Sequence, residues 1–383
     1  MKYLLSLVTI LFLTIFNVSA QTPLYSGVLV SNTGQNNNIG TASTSRNVAT
    51  DNVGNIYVAY TGTNGVRVAK SNNRGQSFFP SVQVSTLNAV PEIEVADNVH
   101  IYVVFIHQNT IYISISTDSA VSFSTPESIG ATSTINCHMA TYGSNVYIID
   151  QAGNRLYRNS NFGVGPFSFT TLPSNYVFSD VRVTANGTVV VTTDDPTLRM
   201  FKSTNNGISF TQQAITPPTA QVYFSSYALS GGALGDFIFV GGDNTNGNIG
   251  YKIDINTGLT TTITLGNVNS STEGRTLFAD DYGNFADGYI NGSTVGFRIS
   301  YDQGNTFIPN INVATATSHN IVRNSYYEDI VVTYSYNGQV YLAVYENLLK
   351  RITVSDSINV GNYCSGDSIK IPYKLLGAFN SGN

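Results

Sequence analysis

Arg46, Arg275 and Arg323 fall near corresponding points of a segment that recurs along the chain. A guanidinium carries its N–H donors in a fixed planar fork, so three of them converging on one point would hold an anion. Glu92, Asp180 and Glu273 stand at comparable places, and Tyr326 with Tyr327 could supply a phenol. A carboxylate pair spanning a sugar is what glycoside hydrolysis requires. A plainer reading stands beside this one: polar residues at strand entrances are commonly just solvated, and Glu273 could simply pair with Arg275. His138 beside Cys137 has the composition of a metal pair. Neighbouring residues on a strand point to opposite faces, however, so no shared metal site and no cofactor is expected.

What would position these side chains is a repeat. Ser71-Asn-Asn73-Arg-Gly75-Gln-Ser-Phe78, Ser116-Thr-Asp118-Ser-Ala-Val-Ser-Phe123, Ser203-Thr-Asn205-Asn-Gly207-Ile-Ser-Phe210 and Ser300-Tyr-Asp302-Gln-Gly304-Asn-Thr-Phe307 start 45, 87 and 97 residues apart. If the two longer gaps each hide one degenerate copy, the period is 44 to 49 residues, the length of a four-stranded blade stacked around an axis. Ser at the first position and Asp or Asn at the third can bond the N–H groups of a tight turn, and Gly at the fifth supplies a positive φ. The closing Phe starts the next strand and turns its ring between sheets. Degenerate copies are read at Asn159-Ser-Asn-Phe-Gly163 and Asp254-Ile-Asn-Thr-Gly258.

Seven strand-turn-strand segments, from Asp51-Asn-Val-Gly54-Asn-Ile-Tyr-Val58 to Tyr327-Glu-Asp-Ile-Val-Val332, argue for an all-β, seven-bladed β-propeller; six blades with an extra hairpin is the alternative. The last blade lacks a fourth strand after Gln339-Val-Tyr-Leu-Ala-Val-Tyr345. The N-terminal segment Leu24-Tyr-Ser-Gly-Val-Leu-Val-Ser31 is expected to supply it and close the ring.

The eight-residue turn resembles the Asp-box, or bacterial neuraminidase repeat, of the sialidase-like β-propellers. Ser300 to Phe307 fits it fully, while Asn73 and Asn205 replace Asp and Ala120 replaces Gly. In that family these turns are structural and lie on the face away from the active site, so the resemblance speaks to fold. Sialidases of this fold bind the substrate carboxylate with three arginines and use a Tyr-Glu pair with an Asp acid/base. Their first arginine lies in an Arg-Ile-Pro motif, and here Arg46 is followed by Asn47-Val48. The catalytic set therefore does not carry over residue by residue.

Composition fills in the setting. The chain has 383 residues, 24 Tyr, no Trp, 11% charged residues and a net charge of −5, which offers no basic footprint for nucleic acid. Residues 1–20 combine an early Lys, an apolar run and a small-x-small end, the pattern of a secretory signal peptide, with no membrane span expected after its cleavage. Only Cys137 and Cys364 are present, so no disulfide framework is expected. Residues 21–350 are read as the propeller. Residues 351–383 are read as a linker and the truncated start of an immunoglobulin-like domain, since Arg351-Ile-Thr-Val-Ser-Asp-Ser-Ile-Asn-Val360 and Tyr363-Cys-Ser-Gly-Asp-Ser-Ile-Lys-Ile-Pro-Tyr-Lys374 resemble the opening strands of such domains in large surface proteins of Bacteroidetes.

The functional expectation is a non-catalytic extracellular binding module of a secreted or surface-displayed bacterial adhesin exported by the type nine system. It would bind glycan or another surface polymer at the axial mouth. A diverged glycoside hydrolase or sialidase, and a structural scaffold for protein partners, are the alternatives.

Overall fold

The computed structural model describes residues 21–31, 37–40, 46–132, 137–151, 153–174, 176–193, 198–216, 224–230, 235–242, 249–265, 275–346, 348–349, 351–354 and 373–376. The expected signal peptide, Glu273 and Cys364 lie outside them. Seven four-stranded antiparallel sheets follow one another around a ring. Their inner strands are Val48–Thr50, Pro91–Val95, Cys137–Tyr142, Phe178–Val183, Phe224–Ser230, Arg275–Ala279 and Ser318–Asn324. The fold is the seven-bladed propeller the repeat predicts, and the six-bladed alternative is excluded.

Closure comes from the N-terminus. Tyr25–Leu29 pairs antiparallel with Gln339–Tyr345 and so forms the outer strand of blade seven, with Tyr25 opposite Val344 and Leu29 opposite Tyr341. Leu24 N–H donates to the Val344 carbonyl at 2.7 Å and Val30 N–H to the Val340 carbonyl at 2.9 Å, carrying the pairing past both ends of the strand. Beyond the ring, Arg351–Val354 pairs with Tyr373–Leu376. The rest of the expected immunoglobulin-like segment lies outside the described residues.

Each blade is packed on both faces, so its second strand reads as a continuous apolar run: all seven residues of Ile56–Gly62 are buried. Alternate residues go to alternate seams. Tyr57 and Ala59 join Ile93, Val103 and Phe105 between blades one and two, while Val58 and Tyr60 join Leu342 and Val344 between blades seven and one. Full burial of such side chains contributes roughly 1.5–3 kcal/mol each.

The repeated turns share one hydrogen-bond pattern. Ser71 Oγ accepts the Gly75 N–H at 2.9 Å and donates to Asn73 Oδ1 at 2.9 Å, and Asn73 Oδ1 accepts the Ser77 N–H at 3.1 Å. Ser116–Asp118, Ser203–Asn205 and Ser300–Asp302 repeat it. In blade three Asn159 Oδ1 takes the serine's part, accepting the Gly163 N–H at 3.0 Å. Gly75 is required twice over: its φ is 88°, and a Cβ there would lie 2.8 Å from Leu342 of the preceding blade. Ala120 holds the same left-handed conformation, at φ 64°, with its methyl group buried against the seam between blades one and two. Phe78, Phe123, Phe210 and Phe307 pack against the apolar clusters at the blade seams.

Candidate axial site

The inner strands all run in the same sense along the axis, so their first residues crowd around one mouth and the repeated turns lie at the far end. Arg46 stands two residues before the first inner strand. It is fixed on both sides: its carbonyl accepts the Ile93 N–H at 2.8 Å, and the following Asn47 is buried, with Oδ1 accepting from Thr333 Oγ1 at 2.8 Å. The Arg46 side chain then reaches two other blades. Its Nη2 lies 3.1 Å from Glu92 Oε1 on blade two and 3.0 Å from Asp180 Oδ1 on blade four.

Both carboxylates are fully engaged. Glu92 Oε1 accepts the Met139 N–H at 2.7 Å, and Oε2 lies 2.8 Å from His138 Nδ1. Asp180 Oδ2 accepts from Arg182 Nε at 2.7 Å and Oδ1 from its neighbour's Val181 N–H at 2.9 Å, while Arg182 Nη2 donates to the Tyr227 carbonyl at 2.6 Å. Burial opposes ionisation of Glu92 and Asp180, yet the cations beside them outweigh it and hold both below the usual carboxylate range. Burial likewise opposes the charge on Arg46, and Glu92 and Asp180 outweigh it.

Glu94 differs. Burial, with Glu92 and Asp180 adding negative charge nearby, pushes its carboxyl up to about 7 against the pull of Arg46 and Arg182. It lines the axial cavity, a space of about 340 Å³ walled by the inner strands of all seven blades, with Arg46, His138, Asp180, Arg182 and Tyr227 as the other titratable groups of the wall. A carboxyl that is half-protonated near neutrality can both donate to and accept from a ligand hydroxyl.

The structure thus brings together Arg46, Glu92 and Asp180 and separates the other candidates from them. Arg275 is fully buried, bonded through Nη1 to Asp287 Oδ1 at 2.8 Å, and faces blade five, where a Cβ on Gly241 would lie 3.3 Å from its Cδ. Asp287 Oδ2 also takes Arg298 Nε at 3.2 Å, so Arg275 belongs to an internal ion network. Arg323 is near the far end of its inner strand and bonds Glu328 at 2.8 Å on the turn face. Tyr326, 59% exposed, lies in the hairpin that follows and packs edge-on against Tyr327. The anticipated three-arginine cluster is therefore not formed: Arg275 is turned into a seam and Arg323 sits at the opposite end.

Glu94 and Arg182 are site residues that sequence reasoning missed, and His138 was considered only as a metal ligand. The available signal was period two, which puts Glu94 on the face of Glu92 and Arg182 on that of Asp180. His138 and Cys137 do diverge: His138 turns to Glu92, whereas buried Cys137 packs with Met139 between blades two and three. Among the described residues no group of His, Cys, Asp and Glu is placed to hold a metal.

No family model and no curated protein matches the chain. Among solved structures, a protein of unknown function from Dyadobacter fermentans DSM 18053 superposes with a TM-score of 0.52 at 14% identity, covering 85% of this chain and 98% of that one. YCF48 from Cyanidioschyzon merolae gives 0.51 at 13% identity, covering 81% and 97%. A mutant Trypanosoma rangeli sialidase displaying trans-sialidase activity gives 0.46 at 9% identity, covering 83% and 59%. At such identities the first two likenesses are of fold alone. The chain is a seven-bladed β-propeller, and its axial mouth is lined by ion pairs that compensate one another.

Proposed function

We propose that this propeller is an extracellular binding module, part of a secreted or surface-displayed bacterial adhesin, whose axial mouth takes an uncharged glycan terminus. The observation that supports this reading is the state of the mouth's two arginines, both already bonded to carboxylates: Arg46 to Glu92 and Asp180, and Arg182 to Asp180. An acidic sugar entering there would have to displace buried carboxylates from their partners, which is costly. A neutral sugar needs only hydrogen bonds, and the Glu94 carboxyl, the Asn320 amide and the Thr141 and Thr276 hydroxyls of the wall are of the right chemistry. The signal-like N-terminus and the Asn/Thr/Tyr-rich composition favour display outside the cell.

A second reading, a diverged glycoside hydrolase, rests on one observation: Glu94 is pushed up to about 7 while Asp180 is held below its ordinary range. Carboxyls whose environments drive them apart are the pattern of an acid and its partner. One experiment separates the two. The full chain is applied to a glycan array and assayed against a panel of aryl glycosides, with Glu94→Gln in parallel. Binding to neutral glycans without turnover supports the binding module. Turnover that Glu94→Gln abolishes replaces it with the hydrolase, and neither binding nor turnover refutes both in favour of a scaffold for protein partners.

A further inference from the structure

On the turn face, at the seam between blades three and four, a cleft of about 420 Å³ is lined by Arg158, Asn145, Asn161, Ser160 and Asn206, with Val164 and Ile208 among its apolar residues. We propose that this cleft is a second ligand site, one that binds an acidic saccharide through Arg158.

At other seams the basic residue near the turn has a partner on the next blade. In blade one Lys70, just before the turn, donates to the carbonyl of Ser119, the fourth residue of the next blade's turn, at 3.0 Å. Lys252 of blade five reaches the side chain of Gln303, again the fourth residue of the next turn, at 2.8 Å. Arg158 stands just before its own turn and shares the cleft with Asn206, the fourth residue of the turn in blade four, yet its guanidinium makes neither an ion pair nor a hydrogen bond among the described residues. Its Nε is buried without a partner, as is the hydroxyl of Tyr147 opposite it in the strand register. None of the cleft's lining residues is acidic. The terminal nitrogens of Arg158 are not buried and have no acceptor either, so an anionic oxygen in the cleft would pair with them.

The surroundings select the kind of anion. The Asn206 amide and the Ser160 hydroxyl have no side-chain bond to the described protein and can meet sugar hydroxyls. Val164 and Ile208, each 56% exposed, offer an apolar rim suited to the C–H face of a pyranose. This preference is opposite to that of the axial mouth, whose arginines are compensated, and the proposal stands independently of what binds there.

Tetragalacturonate and its neutral methyl ester are titrated calorimetrically into the full chain, into Arg158→Gln and Arg158→Lys, and into the axial variant Glu94→Gln. Expected results are salt-sensitive binding of the acid alone, a loss of at least about tenfold in Arg158→Gln at unchanged melting temperature, partial retention in Arg158→Lys, and no change in Glu94→Gln. The proposal is overturned if neither form binds, if the ester binds as well as the acid, or if Arg158→Gln binds like the wild type. Binding lost in Glu94→Gln instead of Arg158→Gln would place the acid at the axial mouth and also overturn it.

Discussion

Arg46 Nη2 lies 3.0 Å from Asp180 Oδ1, a contact between residues 134 positions apart that joins blade one to blade four across the axis. Asp180 is 3% exposed and Glu92, which shares the same nitrogen, 2%, so the mouth is built on buried carboxylates bridged by one guanidinium, with Arg182 and His138 as their further partners.

Removing that guanidinium should therefore destabilise the ring more than an exposed ion pair would. Arg46→Ala is expected to cost about 3 kcal/mol, the low end for leaving buried charges uncompensated. Arg46→Lys, which keeps the charge and loses the fork, should cost less. Urea unfolding of the three proteins checks this; a loss below about 1 kcal/mol for Arg46→Ala would show that the contact is no stronger than a surface pair.

Two groups should give the stability opposite pH dependences. With Glu94 raised from 4.5 to about 7, the folded chain keeps a proton that the unfolded chain has already released. Its contribution is therefore fully present below 4.5 and is lost as the pH rises through about 7. Glu94→Gln should gain stability at pH 8, by at most on the order of 3 kcal/mol, and gain little at pH 4. Buried His319 is pushed down to about 4. The unfolded imidazole takes up its proton first as the pH falls below 6.5, so stability is lost on the way down to about 4, and His319→Asn should flatten that limb. Melting temperatures across this range test both slopes, and a Glu94→Gln profile parallel to the wild type would refute the first.

At the turns, Gly75→Ala should cost about 2–4 kcal/mol, since it adds strain at φ 88° to a clash with Leu342 and Val344. Ala120→Gly is the informative converse. Relief of the φ 64° strain opposes the loss of a buried methyl, so the expected change is within about 1 kcal/mol of zero. Denaturation midpoints decide; equal costs for the two substitutions would remove the conformational argument.

Ring closure makes a different kind of prediction. Deleting residues 21–31 strips the outer strand from blade seven and bares the edge of Gln339–Tyr345. The truncated chain should melt lower and associate, because an unpaired edge recruits other strands. Light scattering during a thermal ramp would show it, and a monomer of unchanged stability would argue that the closing strand is dispensable.

The fold was legible in the sequence because its signals are local. A serine bonding the N–H four residues on, a glycine at positive φ and a phenylalanine at a seam are readable from eight residues, and four clear copies set the period. The N-terminal strand was expected because the last blade lacks a fourth strand of its own. The site was legible only where a residue's place along its strand was enough to mark it. Arg46, Glu92 and Asp180 were identified from their places at strand starts, but Arg275 occupies a similar place and turns into the seam to meet Asp287, twelve residues on. That choice is made by a partner on another strand, as is the turn of His138 towards Glu92. Arg158 left no sequence signal, because what distinguishes it from Lys70 is the lack of a bond that the other makes.

Calorimetric titration of the tightest neutral array ligand into wild type, Glu94→Ala and Arg158→Gln decides whether a neutral glycan seats at the axial mouth. Glu94→Ala is expected to lose at least about tenfold in affinity while Arg158→Gln binds like the wild type. Full affinity in a folded Glu94→Ala protein, or a loss confined to Arg158→Gln, would contradict it.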